Sequence, residues 1–119
     1  VQDRVFLTGT ITEGEKYYLL KHCHTFCFPS ITEGFGLPVV EAMHFGCDIL
    51  LSTHTCLPEI GGDVVRYFDS FEATYLQELG KEMPSWQQST VQKGKVKERS
   101  KLFSWSTAAR AYWNIYTSL

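Results

Sequence analysis

Phe26-Cys27-Phe28-Pro29-Ser30-Ile31-Thr32-Glu33-Gly34-Phe35-Gly36-Leu37-Pro38-Val39-Val40-Glu41-Ala42-Met43-His44-Phe45-Gly46 is the stretch whose reading decides the fold. A short apolar run stops at Pro29-Ser30, two glycines open a loop, and apolar residues then recur at helical spacing from Leu37 to Phe45. Pro38 suits a first helical turn, where its missing N–H costs nothing. Gly46 suits the end of that helix, where a left-handed residue is wanted. The unit is therefore strand, loop, helix.

The pattern repeats outward from this unit. Upstream, Arg4 to Thr8 ends at Gly9 and reads as a strand, followed by a helix from Glu13 to Cys23 with Tyr17, Leu19 and Leu20 on one face. Downstream, Ile49-Leu50-Leu51 and Val64 to Phe68 read as strands, with at most a short helical turn at Leu57-Pro58-Glu59-Ile60 before Gly61-Gly62. Residues 71–83 read as a helix stopped by Pro84, and 87–102 as another despite Gly94. Its charge run, from Lys93 to Lys101, reads as a solvated face. Ser104 or Ser106 caps a last helix carrying Ala109, Tyr112, Trp113 and Tyr116. Continuous apolar strands alternating with helices predict an α/β, Rossmann-like three-layer sandwich, with a short parallel sheet of about four strands flanked by helices, in a single domain over residues 1–119. Ligands of such sheets bind beyond the carboxyl ends of the strands, so the loops of interest begin at Gly9, Pro29 and Ser52.

Composition narrows the function. A chain of 119 residues suits one domain, and folding at this size removes roughly two thirds of the unfolded surface from water. A net charge of −2 argues against a nucleic-acid binder. No apolar run reaches the roughly 20 residues that span a bilayer, and Val1-Gln2-Asp3-Arg4 does not open a signal peptide. With no initiator Met, the sequence is expected to start inside a larger protein. Cys23, Cys27, Cys47 and Cys56 could form a disulfide framework, but Cys27 in its strand and Cys47 after a helix read as small core residues, which favours reduced thiols in the cytoplasm. His22, Cys23 and His24, with Cys27, His54 and Cys56, raise a zinc site, yet lack the paired spacing of structural zinc ligands, so no metal site is assigned.

The physics of the Pro29-to-Ala42 loop can be read directly. Gly34 and Gly36 let backbone approach a ligand without a Cβ in the way. The helix that follows would turn unpaired N–H groups around Phe35, Gly36 and Leu37 toward the same space, and such a terminus favours anions. Glu33 and Glu41 stand on either side as acceptors for sugar hydroxyls, or as solvent-facing carboxylates if the loop is only a loop. The outline is that of a diphosphate site.

The string Glu33-Gly34-Phe35-Gly36-Leu37-Pro38-Val39-Val40-Glu41-Ala42-Met43 closely resembles the E-x7-E signature of retaining GT-B glycosyltransferases of the family 4 type. Phe6-Leu7-Thr8-Gly9, Phe28-Pro29-Ser30, Gly46, Leu57 to Asp63 and Phe103-Ser104-Trp105 extend the resemblance over nearly the whole chain. It implies the C-terminal, donor-binding part of an enzyme that moves a sugar from a nucleotide-diphosphate sugar to an acceptor hydroxyl with retention. No other cofactor is implied, and metal is usually not needed for transfer. Glu33 would contact the donor sugar, without being assigned as a nucleophile. The amides of Gly34, Phe35, Gly36 and Leu37 would hold the diphosphate, and Glu41 the ribose hydroxyls. Thr10 and Ile11 match positions bordering the base, while Ser30 is either pocket-lining or a turn residue. Glu59 reads as supporting structure.

The resemblance also implies partners: a missing N-terminal acceptor-binding domain and, in the full-length enzyme, the cytoplasm or the inner face of the membrane. Two departures stand out. The family's Arg/Lys pair that grips the diphosphate lies upstream of Arg4, so the chain alone is expected to be inactive. Asp48 opens a strand where proline or threonine is common. Two other readings are a non-catalytic nucleotide-binding or interaction module of the same fold, and a flavodoxin-like or response-regulator domain, which would want an acidic phosphoacceptor at a strand end and finds none at Phe28-Pro29-Ser30 or Leu51-Ser52-Thr53. Finally, the strands at Phe26, Ile49 and Val64 should lie side by side. Val5-Phe6-Leu7, separated from its native neighbours, should slide beside Phe26 or pair with a second copy in a homodimer through the sheet edge. Residues 5–7 unpaired in solvent with the other three strands intact would count against both.

Overall fold

The computed structural model describes residues 2–86 and 89–118. Three parallel strands form one sheet in the order β1 (Thr25–Phe28), β2 (Asp48–Ser52), β3 (Arg66–Phe68). The register pairs Phe26 with Ile49, Phe28 with Leu51, and Leu51 with Tyr67. The helices are α1 (Glu13–His22), α2 (Leu37–Phe45), α3 (Leu57–Gly61), α4 (Ala73–Glu82), α5 (Thr90–Ser100) and α6 (Trp105–Thr117). The sheet is thus the expected α/β arrangement of parallel strands and flanking helices, one strand narrower than expected.

The missing strand is Arg4–Thr8. Residues 2–4 form a 3-10 turn, and Val5, Phe6 and Leu7 pair with no strand among the described residues, at 59%, 84% and 95% exposure. The expected slide of this segment beside Phe26 is therefore corrected, with the other three strands intact. Its apolar run is real, but a strand needs a neighbour's amides and carbonyls, and α1 continues directly from Thr12 without bringing 5–7 to the free edge of β1.

β2 is central and all five of its residues are buried, as a strand with neighbours on both sides and helices above should be. Ile49 and Leu51 meet Val39, Ala42 and Met43 of α2, Leu57 and Ile60 of α3, Val96 of α5 and Leu20 of α1 in one core. Phe26 and Phe28 of β1 pack against that cluster. Because side chains alternate along a strand, Cys27 takes the opposite face of this edge strand, and the expectation of a buried Cys27 is corrected: it is exposed. Cys47 is buried as expected, and the four cysteines are in the thiol form.

Helix ends follow their capping residues. Thr12 and Glu15 close a reciprocal capping box on α1, the Glu15 carboxylate accepting from the Thr12 amide at 2.7 Å. Between the two serines proposed for α6, Ser104 is the cap, its hydroxyl accepting from the Thr107 amide at 3.1 Å. α5 is shorter than the 87–102 span; residues 87 and 88 lie outside the described residues. Lys93, Lys95, Lys97 and Lys101 are solvated as expected, but Arg99 turns inward: its guanidinium donates to the Ile60 carbonyl at 2.7 Å and the Glu59 carbonyl at 2.6 Å, capping the end of α3. Asp48 is buried and faces Arg66 of β3, Nε to Oδ2 3.5 Å, which gives this strand-opening aspartate a structural reason.

Candidate functional site

The loop from Pro29 to Gly36 leaves the carboxyl end of β1 and enters α2. Three contacts fix its backbone. The Ser30 hydroxyl donates to the Thr32 carbonyl at 3.1 Å, the buried Ser52 hydroxyl at the end of β2 donates to the Ser30 carbonyl, and the Cys56 thiol lies 3.7 Å from the Glu33 carbonyl. The Ser30 hydroxyl is thus engaged within its own turn. From the sequence, Ser52 reads only as the start of another loop and Cys56 only as a candidate zinc ligand; their contacts with this loop come from the folding of β2 beside β1.

The two glycines prove different. Gly36 is the N-cap of α2 with φ 87° and ψ 45°, and an added Cβ would stand 3.1 Å from Leu57 Cδ2. It is glycine for reasons of fold. Gly34 has no positive φ, and an added Cβ there would meet nothing within 4 Å. The space in front of Gly34 is open, which is where a ligand would lie.

At the helix entrance, the Val39 and Val40 amides bond back to the Gly36 carbonyl, and Pro38 has none to offer. Among the described residues, no intramolecular backbone hydrogen bond takes the amides of Gly34, Phe35, Gly36 or Leu37. Such amides are anion donors in waiting, reinforced by the helix dipole. Phe35 stands edge-on to Phe103, centroids 5.9 Å apart, and Leu37 is half exposed beside it.

Glu41 lies one turn into α2, its Oε1 3.1 Å from the Lys16 ammonium of α1. Lys16 also holds Glu13 at 3.1 Å, and the two carboxylates, Glu13 first, raise its pKa, so it stays cationic at neutral pH. Glu33 is half-buried at the loop's middle. A groove of about 400 Å³ runs beside α2, lined by Leu37, Val40, Glu41, His44, Phe103 and Trp105 among others. Thr10 is exposed, and Ile11 lines an apolar hollow with Leu19, Leu20, Phe26 and Lys16, the lysine that bonds Glu41. A more voluminous cavity, about 440 Å³, opens at the other, amino end of the strands around Cys23, Cys47 and Asp48. It touches no loop residue, and the carboxyl end of the sheet remains the candidate site. Also at that end, His54 keeps a buried Nδ1 with no hydrogen-bond partner among the described residues and stacks edge-on with Phe71. No three His, Cys, Asp or Glu side chains converge to hold a metal among the described residues.

Residues 1–70, which carry the loop, its strand and its helix, match the family described as glycosyl transferases group 1. The chain belongs to that family. Among similar curated proteins, the O-antigen chain mannosyltransferase B of Escherichia coli is 34% identical over 116 residues, covering 93% of this chain and 29% of that protein. The serotype-specific mannosyltransferase WbdA of Escherichia coli is 43% identical over 61 residues, 51% of this chain and 8% of WbdA. The MMP alpha-(1->4)-mannosyltransferase of Mycolicibacterium hassiacum is 39% identical over 62 residues, 52% of this chain and 15% of that enzyme. The chain therefore spans less than a third of the length of these relatives. Not every string that resembles the group 1 family belongs to the site. In Leu57 to Asp63, an added Cβ on Gly61 would fall 2.4 Å from the Tyr67 hydroxyl and 2.5 Å from Val65, so this glycine is there for packing. Glu59 is exposed, and its carbonyl, rather than its carboxylate, is what Arg99 uses. No helix among the described residues is long and apolar enough to cross a membrane.

Proposed function

We propose that this chain is the C-terminal, donor-binding part of a retaining GT-B glycosyltransferase of the family 4 type, which transfers a sugar from a nucleotide-diphosphate sugar to an acceptor hydroxyl. The observation that carries the reading is the loop itself: unbonded amides from Gly34 to Leu37 at the head of α2, with open space before Gly34 and carboxylates at Glu33 and Glu41. The names of the similar mannosyltransferases favour mannose as the sugar.

On this reading the chemistry is a matter of charge. Breaking the bond between sugar and β-phosphate puts negative charge on the leaving diphosphate, and the fixed N–H dipoles of the loop stabilise it as it grows. Glu33 accepts from hydroxyls of the sugar and orients it. Glu41 accepts from the ribose hydroxyls through the oxygen that Lys16 leaves unused, with Lys16 holding the carboxylate in place. An acceptor-binding domain completes the site in the whole protein. The exposed side chains of α6, Trp105, Trp113 and Tyr116 among them, favour a further domain lying over this face. The segment alone binds donor weakly and does not turn over.

Titration with a panel of nucleoside diphosphates, followed by backbone amide shifts, tests the reading. Gly34, Gly36 and Leu37 should move first. Amides that stay still at millimolar ligand in the full-length protein would sink it.

A further inference from the structure

Away from the donor loop, two cysteines meet at the amino end of the sheet. Cys23 closes the last turn of α1, and Cys47 sits between the end of α2 and the start of β2. They are 24 residues apart in sequence, and their sulfurs are 3.9 Å apart. Both thiols point at one acceptor, the Leu20 carbonyl, at 2.7 Å from Cys47 and 3.6 Å from Cys23. Cys23 is exposed and Cys47 is buried, and the 440 Å³ cavity lined by both, with Lys21, His24, Lys93 and Lys97, gives a small reagent a way in.

We propose that Cys23 and Cys47 are a redox-active thiol pair, oxidised by a low-molecular-weight disulfide of the glutathione class to an intramolecular disulfide that staples the end of α1 to the entrance of β2. An S–S bond of roughly 2.05 Å requires the sulfurs, now 3.9 Å apart, to close by roughly 1.9 Å. Rotation of the exposed Cys23 side chain supplies most of that movement. The Cys23 thiolate attacks the small disulfide, one small thiol leaves, and Cys23 carries a mixed disulfide. The Cys47 thiolate then attacks the Cys23 sulfur and expels the second small thiol. The protein thiols lose two protons and two electrons, and the small disulfide takes both electrons and departs as two thiols.

Burial, with the neighbouring Cys23 as a second cause, pushes the Cys47 thiol up to about 12. The exposed Cys23 is therefore the thiol that meets the small disulfide first, and the buried Cys47 is the resolving one. Cys27 and Cys56 do not share the arrangement: Cys27 faces away from the core, and Cys56 points to the Glu33 carbonyl.

The test equilibrates the full chain with glutathione disulfide in excess, blocks remaining thiols by alkylation and cleaves after glutamate. Cleavage at Glu15, Glu33, Glu41 and Glu59 separates fragment 16–33, with Cys23 and Cys27, from fragment 42–59, with Cys47 and Cys56. The two fragments should be joined. The joint should survive in Cys27→Ser and Cys56→Ser and vanish in Cys23→Ser and Cys47→Ala. The oxidised protein should melt higher than the reduced one by about 10 °C, a gain absent in Cys23→Ser. A joint that persists in Cys23→Ser would overturn the proposal, as would glutathione resting on Cys23 at equilibrium with no internal bond. Cys23 is exposed, so its serine variant folds even if Cys47→Ala does not.

Discussion

Alanine at Gly34 and alanine at Gly36 should fail in opposite ways. At Gly36 the backbone stands at φ 87°, and the new Cβ would press to 3.1 Å from Leu57 Cδ2, inside the core. Left-handed backbone costs a non-glycine residue roughly 1–2 kcal/mol. The usual gain from replacing glycine, about 0.4–1 kcal/mol through the unfolded state, offsets only part of that, and Leu57 must also give way. The net loss is about 1–2 kcal/mol, or roughly a 5 °C drop in melting temperature. At Gly34 the backbone suits alanine and nothing lies within 4 Å of its Cβ, so the melting temperature should hold or rise by a degree or two. Yet that Cβ would occupy the space where the diphosphate approaches the loop amides, and donor affinity should fall by 10-fold or more (about 1.4 kcal/mol per tenfold). Thermal melts and calorimetric nucleotide titration of the full-length protein read the two axes separately. A Gly34→Ala variant that folds and binds as well as the parent would refute the assignment of the open space to the ligand, whatever Gly36→Ala does.

Glu41→Ala should weaken binding of free nucleoside diphosphate by roughly 10- to 100-fold, the worth of hydrogen bonds to a charged group. Glu33→Ala should matter only once a sugar is attached, so equal losses of free nucleotide in both variants would contradict the division of labour. Arg99→Met leaves the Ile60 and Glu59 carbonyls without their shared cation and should lower stability by about 1–3 kcal/mol in a denaturant melt, with nucleotide affinity unchanged. For Cys47, the folded thiol keeps its proton up to about 12, against a reference of 9.0. A raised folded value means stability present below about pH 9 and lost progressively toward pH 12, and alkylation of Cys47 in the reduced protein should quicken about tenfold per pH unit across that window.

Much of the fold was legible because the decisive residues act locally. Leu37 to Gly46 carries its own start, face and stop, and α2 runs from Leu37 to Phe45 as read. Strand β2 was legible as a continuous apolar run. The Val5-Phe6-Leu7 segment was not, since its sequence matches a strand as well as Phe26-Cys27-Phe28 does. What separates them is partnership: β1 finds β2 in register, and 5–7 finds no ladder in the chain. Edge position likewise decides Cys27, which alternation sends to the face opposite Phe26 and Phe28.

The site shows the same division between local and remote causes. A spacing rule could find Glu33 and Glu41, because the loop and one helical turn fix how far apart they lie. It could not find Lys16, which stands 25 residues before Glu41 and reaches it only because α1 packs against α2, with Tyr17 5.7 Å from Phe45. Nor could it distinguish the glycines. Both look like the same permissive residue in sequence, but Gly36 answers to Leu57, and Gly34 answers to nothing in the protein. Gly14, Gly80 and Gly94 are equally free of contacts, but they lie in helices, whereas Gly34 lies beside the unbonded loop amides at the carboxyl end of β1. It is this combination of open space and waiting donors, rather than the constrained Gly36, that points to a ligand.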